Sequence, residues 1–140
     1  MVKEQMTLKY KAAYLEITHD EQKNVVFYKW IGRISDEDAR KGMDQILDVI
    51  KSTQSVDLVA DLTAFTGGSV EIAKWVNEHW SDMLVAAGLK NVAVKLPESA
   101  FGGFSNTVAL GPKFVSLINV EKFVSNEDVY AWIEQKRINN

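Results

Sequence analysis

Residues 14–31, YLEITHDEQKNVVFYKWI, contain two apolar segments separated by a polar one. From Tyr14 to His19, apolar and polar residues alternate, which is typical of a half-buried strand. Asp20 to Asn24 is a polar segment with the composition of a turn, and Val25 to Ile31 is dense in β-branched and aromatic side chains. We therefore predict that the two segments pair as an antiparallel hairpin.

A helix is predicted directly after the hairpin. Ser35 precedes three acidic residues, so its hydroxyl is placed to cap a helix whose positive dipole end also attracts negative charge. Apolar residues then recur every three or four positions up to about Ser52: Ala39, Met43, Ile46, Leu47 and Ile50. This spacing predicts one apolar face that packs on the sheet.

Strand-type and helix-type segments alternate from there to the end of the chain. Strands are predicted at 56–62, 91–96 and 120–124, and helices at about 69–87 and from Ser125 onward. Gly88 is predicted to be a left-handed cap. The stripe of the second helix is Ile72, Val76, Trp80, Met83, Leu84 and Ala87. Residues 100–119 predict a helix in two pieces, because Gly and Pro interrupt an otherwise helical pattern.

The order of these elements predicts one α/β domain over residues 1–140. Its sheet would begin with an antiparallel hairpin and continue as a mostly parallel sheet covered by helices.

Composition limits the classes of function. The chain has 140 residues, no cysteine and a net charge of -3. Disulfides and thiolate metal sites are therefore absent, and a phosphate backbone would find little attraction. No run of about 18 apolar residues occurs, so we predict no membrane span and a cytoplasmic location.

Several segments resemble STAS domains, the fold of bacterial anti-sigma-factor antagonists, and come close to the lipid-binding CRAL-TRIO type. They are YKWIG at 28–32, DLT at 61–63, WVNEHW at 75–80, AGLKNVA at 87–93 and NEDVYAWI at 126–133. The resemblance covers nearly the whole chain. It implies a small bacterial regulatory or binding module that is not an enzyme.

The same resemblance suggests a phosphorylation site. In regulatory STAS proteins, a serine at the start of the helix after the central strand is phosphorylated within an Asp-Ser-Ser-Gly-like motif. Thr66 and Ser69 fall near that place, but residues 61–69 read DLTAFTGGS and lack the flanking acid and Ser-Gly. Thr66 and Ser69 are therefore the candidate sites, in a motif that departs from the family pattern.

The loop from Thr63 to Ser69 also offers an anion site. Gly67 and Gly68 allow close backbone approach, and a helix is predicted to begin at Ser69 with free N–H groups. The competing interpretation is a tight turn followed by a serine that only caps its helix. The P-loop ending Gly-Lys-Ser/Thr is missing, so nucleotide hydrolysis is not predicted.

Aromatic residues suggest a pocket at the carboxyl edge of the sheet. Trp75, Trp80, Phe101 and Phe104 are candidates to line it. The simpler interpretation is core packing, which makes Trp80 part of the core and leaves Trp75 or Phe101 as surface. His79 is a further candidate for binding. With His19 its only histidine partner and no HExxH spacing, no metal site is predicted.

We therefore predict a non-enzymatic STAS-like module, with no cofactor, that recognises a protein partner or a small anion. The recognition edge would be formed by Thr63–Ser69 and Phe101–Ser105. The alternative is a carrier that binds a hydrophobic small molecule or lipid between the broken third helix and the sheet. The scattered carboxylates of Asp57, Asp61, Glu71 and Glu98 have no nucleophile in sequence beside them, so no enzyme is predicted. The exposed hairpin edge predicts a homodimer.

Overall fold

A computed structural model of the chain describes residues 6–103 and 110–138. Phe104 and Ser105, which belong to the predicted recognition edge, lie outside the described residues. The strands, in chain order, are β1 (Met6–Ala12), β2 (Leu15–Asp20), β3 (Val25–Trp30), β4 (Gly32–Arg33), β5 (Asp57–Asp61), β6 (Phe65–Gly67), β7 (Asn91–Lys95) and β8 (Asn119–Phe123).

In chain order, the helices are α1 (Asp36–Thr53), α2 (Val70–Trp75), a π-helical turn (Val76–Trp80), α3 (Ser81–Ala86), α4 (Glu98–Phe101), α5 (Pro112–Leu117) and α6 (Asn126–Ile138). All except α6 connect one parallel strand to the next. The two helical pieces predicted within residues 100–119 correspond to α4 and α5 as far as the described residues extend.

The main sheet has six strands in the order β1-β2-β3-β5-β7-β8, and β4 pairs with β6 in a separate small sheet. The pairs β1–β2 and β2–β3 are antiparallel, whereas β3–β5, β5–β7 and β7–β8 are parallel. The predicted fold class is confirmed, including the hairpin, in which Leu15 pairs with Trp30.

Strand β1 was not predicted. Thr7 to Lys11 does alternate polar and apolar residues, but the strand lies at the sheet edge and buries little, with Leu8 57% exposed. An edge strand that packs weakly lacks the dense apolar composition that marked β2 and β3.

Helices cover both faces of the main sheet. On the inner face, α1, the π-helical turn, α3 and α5 pack on side chains such as Leu15, Ile17 and Leu58. On the outer face, α6 places Val129 and Ile133 against the central strands. This two-sided burial explains why β5 and β7 read as continuous apolar runs.

Helix α1 matches its sequence signals closely. The Ser35 hydroxyl oxygen accepts a hydrogen bond from the Asp38 N–H at 3.2 Å, and every member of the predicted apolar stripe is buried. Gly42 lies where the helix crosses the sheet. A methyl group there would approach Trp30 Cη2 to 2.5 Å and Leu15 Cδ2 to 2.8 Å, so the glycine permits the close contact.

The second predicted helix is interrupted by the π-helical turn. Trp80 and Leu84 are buried as predicted, but Met83 is 38% exposed, so its inward placement was wrong. A π-helical turn accommodates one extra residue, which rotates the following turn relative to a continuous α-helix. Gly88 has a φ of 97°, which confirms the predicted left-handed cap.

The π-helical turn also positions α5. Asn77 Oδ1 accepts a hydrogen bond from the Phe114 N–H at 3.0 Å, so a side chain from another helix satisfies a donor in the first turn of α5. Gly111 precedes α5 with a φ of 94° and lies against the Asn77 side chain. A Cβ at residue 111 would collide with Asn77, so glycine is needed here for both backbone angle and space.

A buried polar network joins the amino ends of the parallel strands to the last helix. Asp57, fully buried, accepts hydrogen bonds from Asn91 Nδ2 at 2.7 Å and from Arg137 Nη2 at 2.7 Å. Asn119 Nδ2 then donates to Asn91 Oδ1 at 2.9 Å. The network fixes α6 to β5, β7 and β8 at this end of the sheet.

A second polar contact holds α6 to the hairpin. The Tyr130 hydroxyl donates to Asp20 Oδ2 at 2.6 Å, and Asp20 is 1% exposed. Burial, and then the hydrogen bond to Asp20 and its negative charge, raise the pKa of Tyr130 above its ordinary value of 10.0. The folded protein therefore holds this phenol proton more tightly than the unfolded chain does.

The raised pKa of Tyr130 predicts alkaline sensitivity. Its stabilising contribution is fully present below the unfolded-state pKa of 10.0 and is lost as the pH rises above that value. Tyr130→Phe leaves Asp20 without this donor and should lower the free energy of unfolding at about pH 8 by about 1–3 kcal/mol. Urea unfolding from about pH 8 to about pH 11 should show this deficit narrowing, because above about pH 10 the Tyr130 phenol ionises in the unfolded wild-type chain, and the variant has no phenol at this position. A deficit that stays constant across this range would contradict the assignment.

Candidate ligand cavity

A cavity of about 490 Å³ lies between the inner face of the sheet and the helices above it. Its floor is formed by inward side chains of the three central strands: Tyr28, Trp30, Leu58, Ala60, Val92 and Val94. The register aligns Tyr28 with Ala60, and Ala60 with Val94, across neighbouring strands. The small Ala60 side chain thus leaves space between two larger ones.

The helices form the roof of the cavity. Met43 of α1, Ile72 of α2, Val76 and Trp80 of the π-helical turn, and Phe114 of α5 all contribute. Asn77 caps α5 from the π-helical turn, and the Lys113 ammonium of α5 donates to the Glu78 carbonyl at 2.9 Å, so hydrogen bonds hold these two roof elements together. The described lining contains no Asp, Glu, Lys, Arg or His. A cavity of this size and composition is suited to a small, mainly apolar molecule.

Two polar groups of the cavity wall have no hydrogen bond to any residue in the described ranges. Tyr28 is 7% exposed, and burial alone raises the pKa of its phenol, which therefore stays neutral at physiological pH. Trp80 is 4% exposed, and its indole Nε1 has no acceptor. The two rings meet edge to face with centroids 6.4 Å apart. A buried donor without a partner, such as the Trp80 indole nitrogen, costs about 1–3 kcal/mol, so it marks this wall as unusual.

The predicted loop from Thr63 to Ser69 forms part of the cavity rim. Thr63, Gly68 and Ser69 contribute to the lining. The Thr63 hydroxyl donates to Asp61 Oδ1 at 2.6 Å, and the Ser69 hydroxyl oxygen accepts from the Ile72 N–H at 3.0 Å. Ser69 therefore caps α2, as the competing interpretation of the sequence had predicted for this serine.

The middle of the same loop is a strand. Gly67, with a φ of 142°, pairs with Arg33 between β6 and β4, and Thr66 is exposed. The Ile34 N–H donates to the Gly67 carbonyl at 2.9 Å. These bonds hold the rim in place beside the end of β3.

The structure places Trp75, His79 and Phe101 outside the cavity lining. Trp75 lies under the Arg40 guanidinium, 5.0 Å from the ring centroid, and joins α2 to α1. His79 is exposed on the π-helical turn. The Lys122 ammonium lies 4.5 Å from the centroid of the Phe101 ring. Of the aromatic candidates in the described ranges, Trp80 alone lines the cavity.

The acidic residues do not form a catalytic pair. Asp57 and Asp61 lie at opposite ends of β5, about 13 Å apart at the rise of a strand. Asp57 is bound to Arg137, and the register places Asp61 between Lys29 and Lys95 of the neighbouring strands. Both carboxylates thus have structural surroundings on the outer face, away from the cavity.

Within residues 6–103 and 110–138, no three His, Asp or Glu side chains cluster in a way that could hold a metal ion. Over the same ranges, no helix is both long and apolar enough to cross a membrane.

Sequence comparison finds no protein-family model that matches the chain. No curated protein matches it either. Among solved structures, one that is similar is described as an uncharacterized protein from the DUF3478 family with a SpoIIAA-like fold, from Shewanella loihica PV-4. The two share 15% sequence identity with a TM-score of 0.44, over 91% of this chain and 90% of that one.

The sequence did not reveal the cavity floor. Tyr28, Ala60 and Val94 each lie in a strand that was predicted correctly, yet nothing in their spacing shows that they face one space. The available signal was the alanine within an otherwise bulky β5, DLVAD.

Proposed function

We propose that this chain is a binding module that holds a small, mainly apolar molecule in the cavity between the sheet and the helices. The observation that carries the proposal is the cavity of about 490 Å³ at the carboxyl side of the central strands. Ligands of open α/β sheets are commonly bound at this side. The alternative function inferred from the sequence, a carrier of a hydrophobic small molecule, is thus the one we favour.

An anion at the Thr63–Ser69 rim has less support. The Ser69 hydroxyl is engaged in capping, and α2 is only six residues long. No cationic side chain belongs to the described part of the cavity lining. A desolvated anion without a cation or several donors would be unfavourable there.

The proposed role is binding and not catalysis. The polar side chains among the described lining residues are Tyr28, Trp30, Trp80, Thr63 and Ser69. The Thr63 hydroxyl donates to Asp61, which lies outside the lining, and no carboxylate or imidazole belongs to the described lining itself. A protein partner could also contact the rim of the cavity, because Thr66 and Gly68 are exposed there. Ligand occupancy and partner recognition would then share one edge of the molecule.

Filling the cavity should abolish binding. Ala60→Leu places a larger side chain on the floor, where Ala60 is 3% exposed, and should weaken a neutral apolar reporter such as N-phenyl-1-naphthylamine at least about tenfold. Because the added carbons occupy empty space, the thermal midpoint should stay the same or rise. Reporter fluorescence titration measures the first effect and circular dichroism melting the second.

Two further variants make this test decisive. Ala86→Leu is the same chemical change at an exposed position outside the lining, and it should leave reporter affinity unchanged. Ala73→Leu enters the cavity from α2 and serves if Ala60→Leu fails to fold. Undiminished reporter binding by a folded cavity-filling variant would remove the proposal. Mass spectrometry of the native protein from its own host should also show a bound small molecule.

A further inference from the structure

We infer that the cavity selects an uncharged ligand that has an apolar body and one oxygen atom hydrogen-bonded to the Tyr28 hydroxyl. The inference rests on the proposed function and adds the chemical class of the ligand.

The first support is the polar wall. Tyr28 is more than nine-tenths buried, belongs to the cavity floor, and makes no hydrogen bond to a residue in the described ranges. Burial raises the pKa of this phenol, so the group remains a neutral O–H donor. A carbonyl, ether or alcohol oxygen of a ligand would supply the acceptor that the folded chain does not provide.

Trp80 packs beside this hydroxyl. Its indole ring meets the Tyr28 ring edge to face, and its Nε1 has almost no accessible surface and no acceptor among the described residues. The donor that a ligand can reach on this part of the wall is therefore the Tyr28 hydroxyl. Most buried donors in folded proteins are paired, so an unpaired hydroxyl on a cavity floor points to a ligand.

The second support is the absence of charge. Neither a cationic nor an anionic side chain occurs in the described lining. A carboxylate or ammonium group of a ligand would lose its hydration here without gaining an opposite charge. The cavity should therefore discriminate against fatty acids and amines, and favour ketones, esters and alcohols of the same length.

Three probes of matched length test the inference: undecane, 2-undecanone and undecanoate, each competing with the bound N-phenyl-1-naphthylamine reporter at neutral pH. The ketone should bind about fivefold more tightly than the alkane, as expected for one added hydrogen bond. Undecanoate should bind at least about tenfold more weakly than the ketone. A carboxylate that competes as well as the ketone would overturn the neutrality argument.

Tyr28→Phe then isolates the hydroxyl. The variant removes an unpaired polar atom and keeps the ring, so the fold should be retained and the thermal midpoint should not fall. Alkane affinity should stay the same, while the advantage of the ketone should disappear. Tyr10→Phe, a tyrosine outside the lining, is the matched control and should preserve that advantage. Persistence of the full ketone advantage in Tyr28→Phe would refute the role of this residue.

Failure of the inference differs from failure of the proposed function. If the cavity binds ligands without this selectivity, the reporter binds, Ala60→Leu blocks it, and the three probes rank otherwise. If the cavity is not a binding site, the reporter is insensitive to Ala60→Leu, whatever the ranking of the probes.

Discussion

Arg137→Met should lower the free energy of unfolding by about 3–5 kcal/mol. The substitution removes the guanidinium that donates to Asp57 Oδ2 at 2.9 Å and 2.7 Å. The Asp57 side chain is fully buried, so its carboxylate is left without an opposite charge. Asn91 still donates one hydrogen bond to this carboxylate, but one neutral donor compensates a buried charge only in part. Urea denaturation followed by circular dichroism measures the change.

The reverse deletion should be milder. Asp57→Asn keeps an oxygen for Asn91 and removes the charged partner of Arg137. Arg137 Nη2 still donates to the Lys23 carbonyl at 2.7 Å, and the Arg137 side chain is 35% exposed and can turn towards water. The fully buried Asp57 carboxylate cannot reach water in this way. We therefore expect Asp57→Asn to cost less than Arg137→Met, and the double variant to cost less than the sum of the two.

An exposed ion pair on the same helix is the control. Glu134 accepts from Lys23 Nζ at 2.9 Å, and the two side chains are 51% and 39% exposed. Glu134→Gln should change the free energy of unfolding far less than Arg137→Met does, because solvent screens this pair. If Glu134→Gln and Arg137→Met lowered the free energy of unfolding equally, burial of Asp57 would not strengthen the dependence of stability on its ion pair.

Gly42→Val should lower the free energy of unfolding by about 3 kcal/mol. Any side chain at this position meets the Trp30 ring and Leu15, which is fully buried. Gly42→Ala should show the same effect to a smaller degree, since alanine favours the helix over glycine by about 1 kcal/mol and offsets part of the collision. The gradation from alanine to valine, measured by urea denaturation, reports the steric contact.

Asp48→Val is the matched control for this substitution. It introduces the same β-branched residue at an exposed position of α1, so it carries the propensity cost without the collision. Combining Gly42→Ala with Trp30→Phe should recover part of the loss, because the smaller ring withdraws from the added methyl group. A Gly42→Val cost no greater than that of Asp48→Val would contradict the packing argument.

Gly42→Val should also affect the cavity. The Trp30 ring contacts the space beside Gly42 and also lines the cavity, so a displaced ring would change the shape of the volume proposed for the ligand. We expect weaker binding of the neutral apolar reporter, although residue 42 is not itself part of the lining.

The elements with local signals were predictable from the chain alone. The hairpin follows from alternation and turn composition within eighteen residues, 14–31. Ser35 caps α1, and the Ser125 hydroxyl oxygen likewise accepts from the Asp128 N–H at the start of α6. In each case the interacting groups are at most a few residues apart, so composition and spacing already contain the determining interaction.

Prediction failed where the deciding partner was distant. The inward placement of Met83 was wrong because a π-helical turn precedes it. Asn77 of that turn accepts a hydrogen bond from the Phe114 N–H of α5, which lies 37 residues further along the chain. Strand β1 was missed because an edge strand packs against only one neighbour.

The sequence by itself determined the hairpin, the order of helices and strands, and which face of α1 is apolar, because these depend on neighbouring residues. Only the tertiary structure decided that Asp57 meets Arg137, 80 residues away, and that Tyr28 and Trp80 border one cavity. Such contacts depend on which distant side chains the packed layers bring together, and the spacing of neighbouring residues in the sequence does not determine this.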